Sequence, residues 1–326
     1  PLRLVGSEMC IRDRLFGVGI IIFLENAEKK TSKPKTLAIW RNFILLCFGL
    51  IHMSIWIGDV LAPYAICAFL LIIFPDVKKP ILIFLAIVFL MIAFIVITNY
   101  FSSLYDTNGN LISDEEWILL ASEGGELSYG KFWFPDSESF GNLVGMWWYI
   151  GAFFRAISLM LFGILLYKLN IIQGKKNIVF YKKIAVYGFS VGLPLSIYSI
   201  YLLVSTDYDP SVLFISNIFN TLSVIPMVLG YTGVLTILNL KLRDSISTRL
   251  QACGKLAFTN YITQTLFGVF FIGAFRLDTF SRSELIIFVF LVWIIQIAWS
   301  KPILEKFNYG PLEWVWRKLT YRFIKI

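Results

Sequence analysis

The sequence is dominated by long apolar runs that alternate with short charged connectors. Of its 326 residues, 58% are hydrophobic and 15% are charged, whereas soluble domains carry about 25% charged residues. A bilayer core about 30 Å thick is crossed by about 20 apolar residues in a helix. We therefore predict an all-α, polytopic membrane helix bundle. The predicted spans are residues 37–56, 60–74, 81–100, 144–167, 184–204, 212–238, 256–275 and 285–303.

The basic residues lie on alternate connectors. If the connector at residues 25–41 is cytoplasmic, nearly all Lys and Arg of the span connectors fall inside, and the outer segments hold only Lys131, Arg276 and Arg282. This distribution follows the positive-inside rule and predicts a cytoplasmic C-terminus. The net charge of +8 is then explained by a lipid bilayer as the partner, and no nucleic-acid partner is expected.

Four segments are predicted along the chain. Residues 1–14 are charged, have no apolar stretch of their own and resemble translated sequencing-adapter read-through, so we expect an artefact or non-native segment. Residues 15–326 are predicted to form a single membrane domain of about nine spans, the first of them, at residues 15–24, truncated. Within it, residues 101–142 form an acidic outer loop, either a lid or a solvated connector. Residues 305–326 form a cytoplasmic amphipathic tail.

The stretch at residues 49–65 contains the strongest candidate site. Two spans meet at a tight turn at Gly58, and the second, residues 60–74, reaches only about 22 Å, so the turn is predicted to lie at membrane depth. Backbone at that depth needs cover from protein or a water-filled cavity, so His52 and Asp59 are expected to line an outward-opening pocket. Ionisable groups there indicate function, and an imidazole suits a general base. Alternatively, Asp59 caps the following helix, and His52 satisfies a hydrogen bond between helices.

Metal and cofactor sites receive no support from the sequence. His52 is the only histidine, and the four cysteines include no CxxC pair. Zinc sites usually need several imidazole or thiolate ligands. We therefore expect no metal and see no cofactor motif.

Arg155 lies near the middle of a predicted span, where a lone cation costs at least about 2.5 kcal/mol. Its helical face carries Gly151 and Ser158, with Trp148 and Phe162 beyond them, and this small and polar face should point into the bundle. Arg155 is therefore a candidate for binding an anion or a developing oxyanion. The alternative is a structural ion pair, with Asp59 as one option for its partner.

Two further helices carry amide side chains. Asn260 and Gln264 lie one turn apart in one span, and Asn217 and Asn220 lie in another. Such amides either recognise a substrate or form hydrogen bonds between helices. At the C-terminus, Pro311 can begin a helix. There, Glu313 and Arg317 are spaced to pair, and Trp314 and Trp316 with the basic residues fit an amphipathic helix at the inner interface.

Several separated motifs give the chain a family resemblance. They are Leu15-Phe16-Gly17, the 49–65 stretch, the run Gly254-Lys255-Leu256-Ala257-Phe258-Thr259-Asn260-Tyr261 with Gln264, and Phe307-Asn308-Tyr309-Gly310-Pro311-Leu312-Glu313-Trp314-Val315-Trp316-Arg317. This combination resembles the YeiB-like bacterial inner-membrane proteins, whose defining domain is domain of unknown function 418. The resemblance implies a multi-pass protein of the bacterial inner membrane. The motif residues are Gly254, Thr259, Tyr261, Gly310, Pro311, Glu313, Trp314 and Arg317.

That family is distantly similar to membrane acyltransferases, which implies acyl-CoA as donor and an envelope glycan or small molecule as acceptor. In this hypothesis His52 is the base, Asp59 orients its imidazole and Arg155 stabilises negative charge. Family members usually begin with a span carrying a Leu-Asp-x-Leu-Arg-Gly motif, which this sequence lacks, so part of any active site is expected to be missing. A transporter for a small solute and a non-catalytic membrane scaffold are the alternatives.

Overall fold

The computed structural model describes residues 2–56, 59–73, 77–102, 143–206, 212–241, 244–275 and 282–322. Over these ranges the regular structure is entirely helical, which confirms the all-α prediction. The helices are α1 (Leu2–Glu28), α2 (Pro34–Met53), α3 (Leu61–Ile73), α4 (Lys79–Ser102), α5 (Leu143–Lys168), α6 (Ile178–Ser205), α7 (Leu213–Lys241), α8 (Asp244–Lys255), α9 (Ala257–Phe275), α10 (Arg282–Phe307) and α11 (Pro311–Tyr321).

Six of the described helices are long and apolar enough to cross a membrane. Their qualifying segments are Pro34–Met53, Lys79–Ile97, Ile150–Lys168, Ile178–Ser205, Phe214–Lys241 and Ile286–Phe307. The chain is therefore a membrane-type helical protein, while the predicted count of about nine spans is not confirmed. One reason is the length of α3, which has only 13 residues and reaches about 20 Å. The Gly58 turn and the acidic loop from residue 103 lie outside the described residues.

The chain divides into two compact units. Unit 1 comprises Pro1–Glu25 and Ile66–Ile237, and unit 2 comprises Asn26–Ala65 and Leu238–Ile326. The single-domain prediction for residues 15–326, and the interpretation of residues 1–14 as non-native, both stay predictions.

Unit 1 is held together by small residues that let helices approach closely. Gly17 of α1 lies against the backbone of Met160 in α5, where an added Cβ would come within 2.7 Å of the carbonyl oxygen. An added Cβ at Gly233 of α7 would likewise come within 2.6 Å of the Tyr181 carbonyl oxygen of α6. Ser158 adds a polar contact, donating from Oγ to the Ala86 carbonyl at 2.7 Å. These contacts bring α1, α4, α5, α6 and α7 into tight pairs.

Unit 2 brings the start of α3 against α2. A Cβ at Gly49 would lie 2.5 Å from the Ala62 nitrogen and 2.8 Å from its Cα. Below it, Asn42 Nδ2 donates to the Ala65 carbonyl at 2.5 Å. The glycine and the asparagine therefore set the distance between these two helices, and this distance positions the turn that follows α2.

Replacing Gly49 with alanine is expected to lower the free energy of unfolding by about 1–3 kcal/mol, because the added methyl group meets backbone atoms that cannot move independently. A clear fall in the thermal unfolding midpoint of the purified chain in detergent would show this. Gly254 is the matched control, since an added Cβ there meets nothing within 4 Å. Gly254→Ala, at an exposed position of α8, should leave stability unchanged or raise it by up to about 1 kcal/mol. Equal effects of the two substitutions would contradict this packing argument.

Candidate functional site

His52 and Asp59 form a buried pair in unit 2. His52 lies in the last turn of α2, and Asp59 lies just before α3. The imidazole Nδ1 is 2.7 Å from Asp59 Oδ1, and the two residues are only 3% and 6% exposed. The sequence placed both residues at a turn between two spans, and the structure joins their side chains directly.

The Asp59 carboxylate accepts three hydrogen bonds. Oδ1 accepts from His52 and from the Tyr261 hydroxyl at 3.2 Å, and Oδ2 accepts from the Ala62 amide at 2.8 Å. The last bond satisfies a free N–H in the first turn of α3, as a capping carboxylate does. The two interpretations of Asp59 from sequence, helix cap and imidazole partner, therefore hold together, one for each oxygen.

Tyr261 was identified from sequence only as a family-motif residue, and the structure adds it to the site. Its hydroxyl donates to Asp59 Oδ1 and accepts from the Val60 amide at 3.2 Å. Its ring centroid lies 5.1 Å from that of His52. Because Tyr261 follows Asp59 by 202 residues, no local spacing signals this contact. The only signal in the sequence is the family motif at residues 254–261, which ends with Tyr261 itself.

The second imidazole nitrogen of His52 has no hydrogen-bond partner among the described residues, although it is fully buried. A carboxylate that accepts from Nδ1 fixes the proton there and leaves a lone pair on Nε2. A buried polar nitrogen without a partner costs about 1–3 kcal/mol. The site therefore holds a buried proton acceptor that has no hydrogen-bond partner among the described residues.

The two C-terminal family motifs cap each other's helices. Thr259 lies in the first turn of α9, and its amide donates to Glu313 Oε1 at 2.9 Å, while its hydroxyl donates to Glu313 Oε2. In return, the Thr259 hydroxyl accepts from the Leu312 amide in the first turn of α11, at 3.2 Å. Gly310 is needed beside them, since a Cβ there would overlap the Glu313 carboxylate. The start of α11 is thereby fixed to the start of α9, two residues before Tyr261.

Thr259→Val is expected to lower the free energy of unfolding by about 1–3 kcal/mol, because it keeps the shape but leaves the Leu312 amide and the Glu313 carboxylate each one partner short. Thermal unfolding in detergent measures this. The matched control is Thr248→Val, whose hydroxyl is exposed and donates only to the Ser245 carbonyl at 3.1 Å. Thr259→Ser keeps the hydroxyl and should stay close to the parent chain. A Thr259→Val chain as stable as the control would contradict reciprocal capping.

Helix α11 is also fixed to α2. The Trp316 indole donates to the Arg41 carbonyl at 2.9 Å, and the Arg41 guanidinium lies 4.1 Å above the Trp316 ring centroid. At the other end of α11, Trp40 Nε1 donates to the Leu319 carbonyl at 3.1 Å. The helix begins at Pro311, as the sequence predicted.

The predicted pairing of Glu313 with Arg317 is replaced by other contacts. Glu313 turns towards Thr259, and Arg317 lies over the rings of Tyr309 and Tyr321 at 5.0 and 5.3 Å. The reason is that the buried amide of Thr259 needs an acceptor, and a buried charge-assisted hydrogen bond outweighs an exposed pair along one helix.

The amides of α9 form a network with α10. Asn260 Nδ2 donates to Ser300 Oγ at 3.2 Å, and its Oδ1 accepts from Trp299 Nε1 at 2.9 Å. Gln296 donates to the Asn260 carbonyl and accepts from Gln264 Nε2, both at 2.8 Å. These contacts are hydrogen bonds between helices, which was one of the two interpretations from sequence. A substrate-binding role for Asn260 and Gln264 stays a prediction.

The remaining candidates lie in unit 1. Arg155 is half-buried in α5, and Asn220 is half-buried in α7. Asn217 of α7 is 4% exposed, and its Nδ2 has no hydrogen-bond partner among the described residues. Their proposed roles in anion and substrate binding stay predictions. The part of the chain that the structure describes contains no group of three His, Cys, Asp or Glu side chains that could hold a metal.

The comparison with known proteins agrees with the family resemblance that the motifs indicate. Residues 166–323 match the model of the family described as "Protein of unknown function (DUF418)". Protein YeiB of Escherichia coli (strain K12), described as uncharacterized, is 26% identical, with the alignment covering 94% of this chain and 80% of YeiB. Residues 166–323 therefore carry the DUF418 domain. The predicted YeiB-like resemblance is thereby confirmed.

Two further relatives match this chain over the same share of its length. Protein YxaH of Bacillus subtilis (strain 168), also described as uncharacterized, is 28% identical over 94% of this chain and 77% of its own length. An uncharacterized 39.9 kDa protein of Bacillus acidopullulyticus is 25% identical over 94% of this chain and 78% of its own. No solved structure matches the chain. Because each of the three relatives aligns with 94% of this chain, the similarity extends far beyond residues 166–323 and includes the α2–α3 region with His52 and Asp59.

Proposed function

We propose that unit 2 carries a general-base site for acyl transfer, in which His52 removes a proton from the hydroxyl or amine of an acceptor. One observation carries the proposal. His52 Nδ1 is bonded to the Asp59 carboxylate at 2.7 Å, while the buried Nε2 has no partner among the described residues. An imidazole held at one nitrogen by a carboxylate and without a partner at the other is the arrangement of a general base.

Asp59 and Tyr261 are positioning residues in this proposal. Asp59 sets the imidazole tautomer and stabilises the imidazolium that forms when Nε2 takes a proton. Tyr261 holds the carboxylate by donating to Oδ1, and the Val60 amide in turn fixes the tyrosine hydroxyl. The hydrogen bonds therefore run from α9 through Asp59 to His52, and all of these residues belong to unit 2.

The reaction we propose transfers an acyl group from a thioester, with acyl-CoA as donor, to an envelope glycan or small acceptor. The acceptor oxygen or nitrogen attacks the thioester carbonyl carbon as its proton moves to His52 Nε2. The carbon–sulfur bond then breaks, and the leaving thiolate takes that proton. One ester or amide and one free thiol are formed, and His52 returns to its starting state. The choice of donor and acceptor rests on the family's distant similarity to membrane acyltransferases.

We further propose that the protein resides in the bacterial inner membrane with its C-terminus in the cytoplasm. The fixed position of α11 supports this topology. Trp40 and Arg41, which contact α11, lie in the first half of α2, beside the basic connector predicted to be cytoplasmic. His52 lies 11 residues further along α2, about 17 Å along the helix axis. The basic connector and α11 then share one side, and His52 lies towards the other.

The test uses the purified full chain in proteoliposomes with an acyl thioester and candidate acceptors. Thiol release and acyl-acceptor formation should rise together in equal amounts, and both should depend on His52. Empty liposomes and the His52→Gln chain are the controls. Thiol release without an acylated acceptor would indicate simple hydrolysis and would contradict the proposed acceptor chemistry. Counterflow of a labelled solute without thioester consumption would instead support a transporter.

A further inference from the structure

Helix α11 has one docked face and one exposed face. The docked face contains Leu312, Glu313, Trp316 and Leu319, which contact α2 and α9. The residues at 314, 317 and 318 follow the spacing of the opposite helical face. There Trp314 is 51% exposed, and Arg317 and Lys318 are exposed. Together with Tyr309, which is 40% exposed beside them, they form what we term the cationic stripe.

The cationic stripe is held in place rather than carried on a free tail. Near the start of α11, Glu313 is bonded to Thr259, and near its end the Leu319 carbonyl is bonded to Trp40. A helix fixed on one face at both ends keeps its other face in a constant direction. Any ligand of the stripe therefore meets a surface that is already ordered and loses less entropy on binding.

Both cations of the stripe lie over aromatic rings. The Arg317 guanidinium is 5.0 Å from the Tyr309 ring centroid, and the Lys318 ammonium is 4.8 Å from that of Trp314. Aromatic rings with a polar edge favour the headgroup level of a bilayer. Long basic side chains place their charge there while their stems cover apolar surface. The stripe thus combines the two residue classes that accumulate at a membrane surface.

The stripe has positive charge and no carboxylate of its own. Glu313, the only acidic residue of α11, faces the other way and is bonded to Thr259. We infer that the cationic stripe binds the phosphate of anionic phospholipid headgroups, with Trp314 and Tyr309 inserted beside it. A lipid fits better than a soluble anion, because half-exposed aromatic rings gain from contact with acyl chains and a free phosphate offers none. This inference uses no residue of the His52 site.

The experiment measures lipid selectivity of the purified full chain in a neutral detergent. The chain is mixed with equal amounts of phosphatidylglycerol and phosphatidylcholine of the same acyl chains, and bound lipid is counted by native mass spectrometry. The parent chain should retain the anionic lipid in clear excess. The double substitution Arg317→Gln and Lys318→Gln should lower that preference roughly 10- to 30-fold. Unchanged thermal unfolding of the variant would show that α11 remains docked.

The matched control is the double substitution Lys182→Gln and Lys183→Gln, which removes two exposed charges at the start of α6. It should leave the lipid preference within about twofold of the parent. An equal loss in both variants would mean that total charge decides, which would overturn the inference. Equal binding of the two lipids by the parent chain would also overturn the inference. Displacement of the anionic lipid by excess inorganic phosphate would show that the stripe binds a soluble anion, and would also overturn it.

Discussion

His52→Gln is expected to lower the rate of acyl transfer by about 100- to 10,000-fold, the usual contribution of a general base. Glutamine fits the volume of the buried site, and its amide can still donate to Asp59, but no atom at the position of Nε2 can take a proton at neutral pH. The maximal rate should fall strongly, because proton removal belongs to the chemical step. The acceptor concentration that gives half of the maximal rate should change much less. Initial rates of thiol release in proteoliposomes measure both.

The control for this prediction is a change that alters hydrogen bonding without removing the base. Tyr261→Phe removes a donor to Asp59 and should reduce the rate much less than His52→Gln does. Tyr231→Phe in unit 1 is the matched tyrosine variant and should retain the full rate. Thermal unfolding first shows whether the His52→Gln chain is folded. A folded His52→Gln chain that keeps more than about a tenth of the parent rate would exclude His52 as the base, because the expected loss is at least about 100-fold.

Asp59→Ala is expected to cause the largest loss of stability at the site, about 3–5 kcal/mol. The substitution leaves two buried donors, His52 Nδ1 and the Ala62 amide, and the half-buried Tyr261 hydroxyl without their acceptor, and removing one member of such a polar set is costly. The thermal unfolding midpoint should fall well below that of the parent chain, and acyl transfer should be lost. Ser158→Ala, which removes one buried hydrogen bond in unit 1, should cost only about 1 kcal/mol.

Asp59→Asn separates the two functions of the carboxylate. The amide oxygen of asparagine can still accept from the Ala62 N–H and cap α3, so most of the stability should remain. The neutral side chain no longer stabilises an imidazolium and permits the other imidazole tautomer, so the rate should still fall by about 100-fold or more. An Asp59→Asn chain with normal acyl transfer would mean that Asp59 serves only as a helix cap.

Much of the helical framework could be read from residue patterns. Apolar runs of about 20 residues between charged connectors have one solution in a bilayer, because every backbone group must be bonded within its own segment. Pro311 marked the start of α11 because its ring suits the first helical position. The span count was the weaker prediction, since α3 is too short to be classed as a span by length alone.

The proximity of His52 and Asp59 could also be expected from local chain geometry. The two residues are separated by only seven positions, so the length of the connecting chain limits how far apart they can lie. The sequence left open whether Asp59 served the imidazole or the following helix. The structure assigns one carboxylate oxygen to each, which a one-dimensional pattern cannot distinguish.

The partners contributed by distant segments had no such signal. Tyr261 meets Asp59 across 202 residues, and Glu313 meets Thr259 across 54. The family motifs marked these residues but did not show that two motifs cap each other, or that Glu313 would turn away from Arg317. Side-chain pairing between helices depends on the packing of their backbones, here governed by Gly49 and Gly310, and that packing is a property of the assembled unit.

The sequence by itself therefore determined the class of protein, the approximate positions of most of its apolar helices and the short separation of His52 and Asp59 along the chain. These follow from local chain geometry and from the cost of placing polar groups in hydrocarbon. The tertiary structure alone decided which donors hold Asp59, which nitrogen of His52 lacks a partner among the described residues and which face of α11 remains exposed. Those outcomes depend on contacts between residues far apart in the chain, which form only when α2, α3, α9 and α11 pack together.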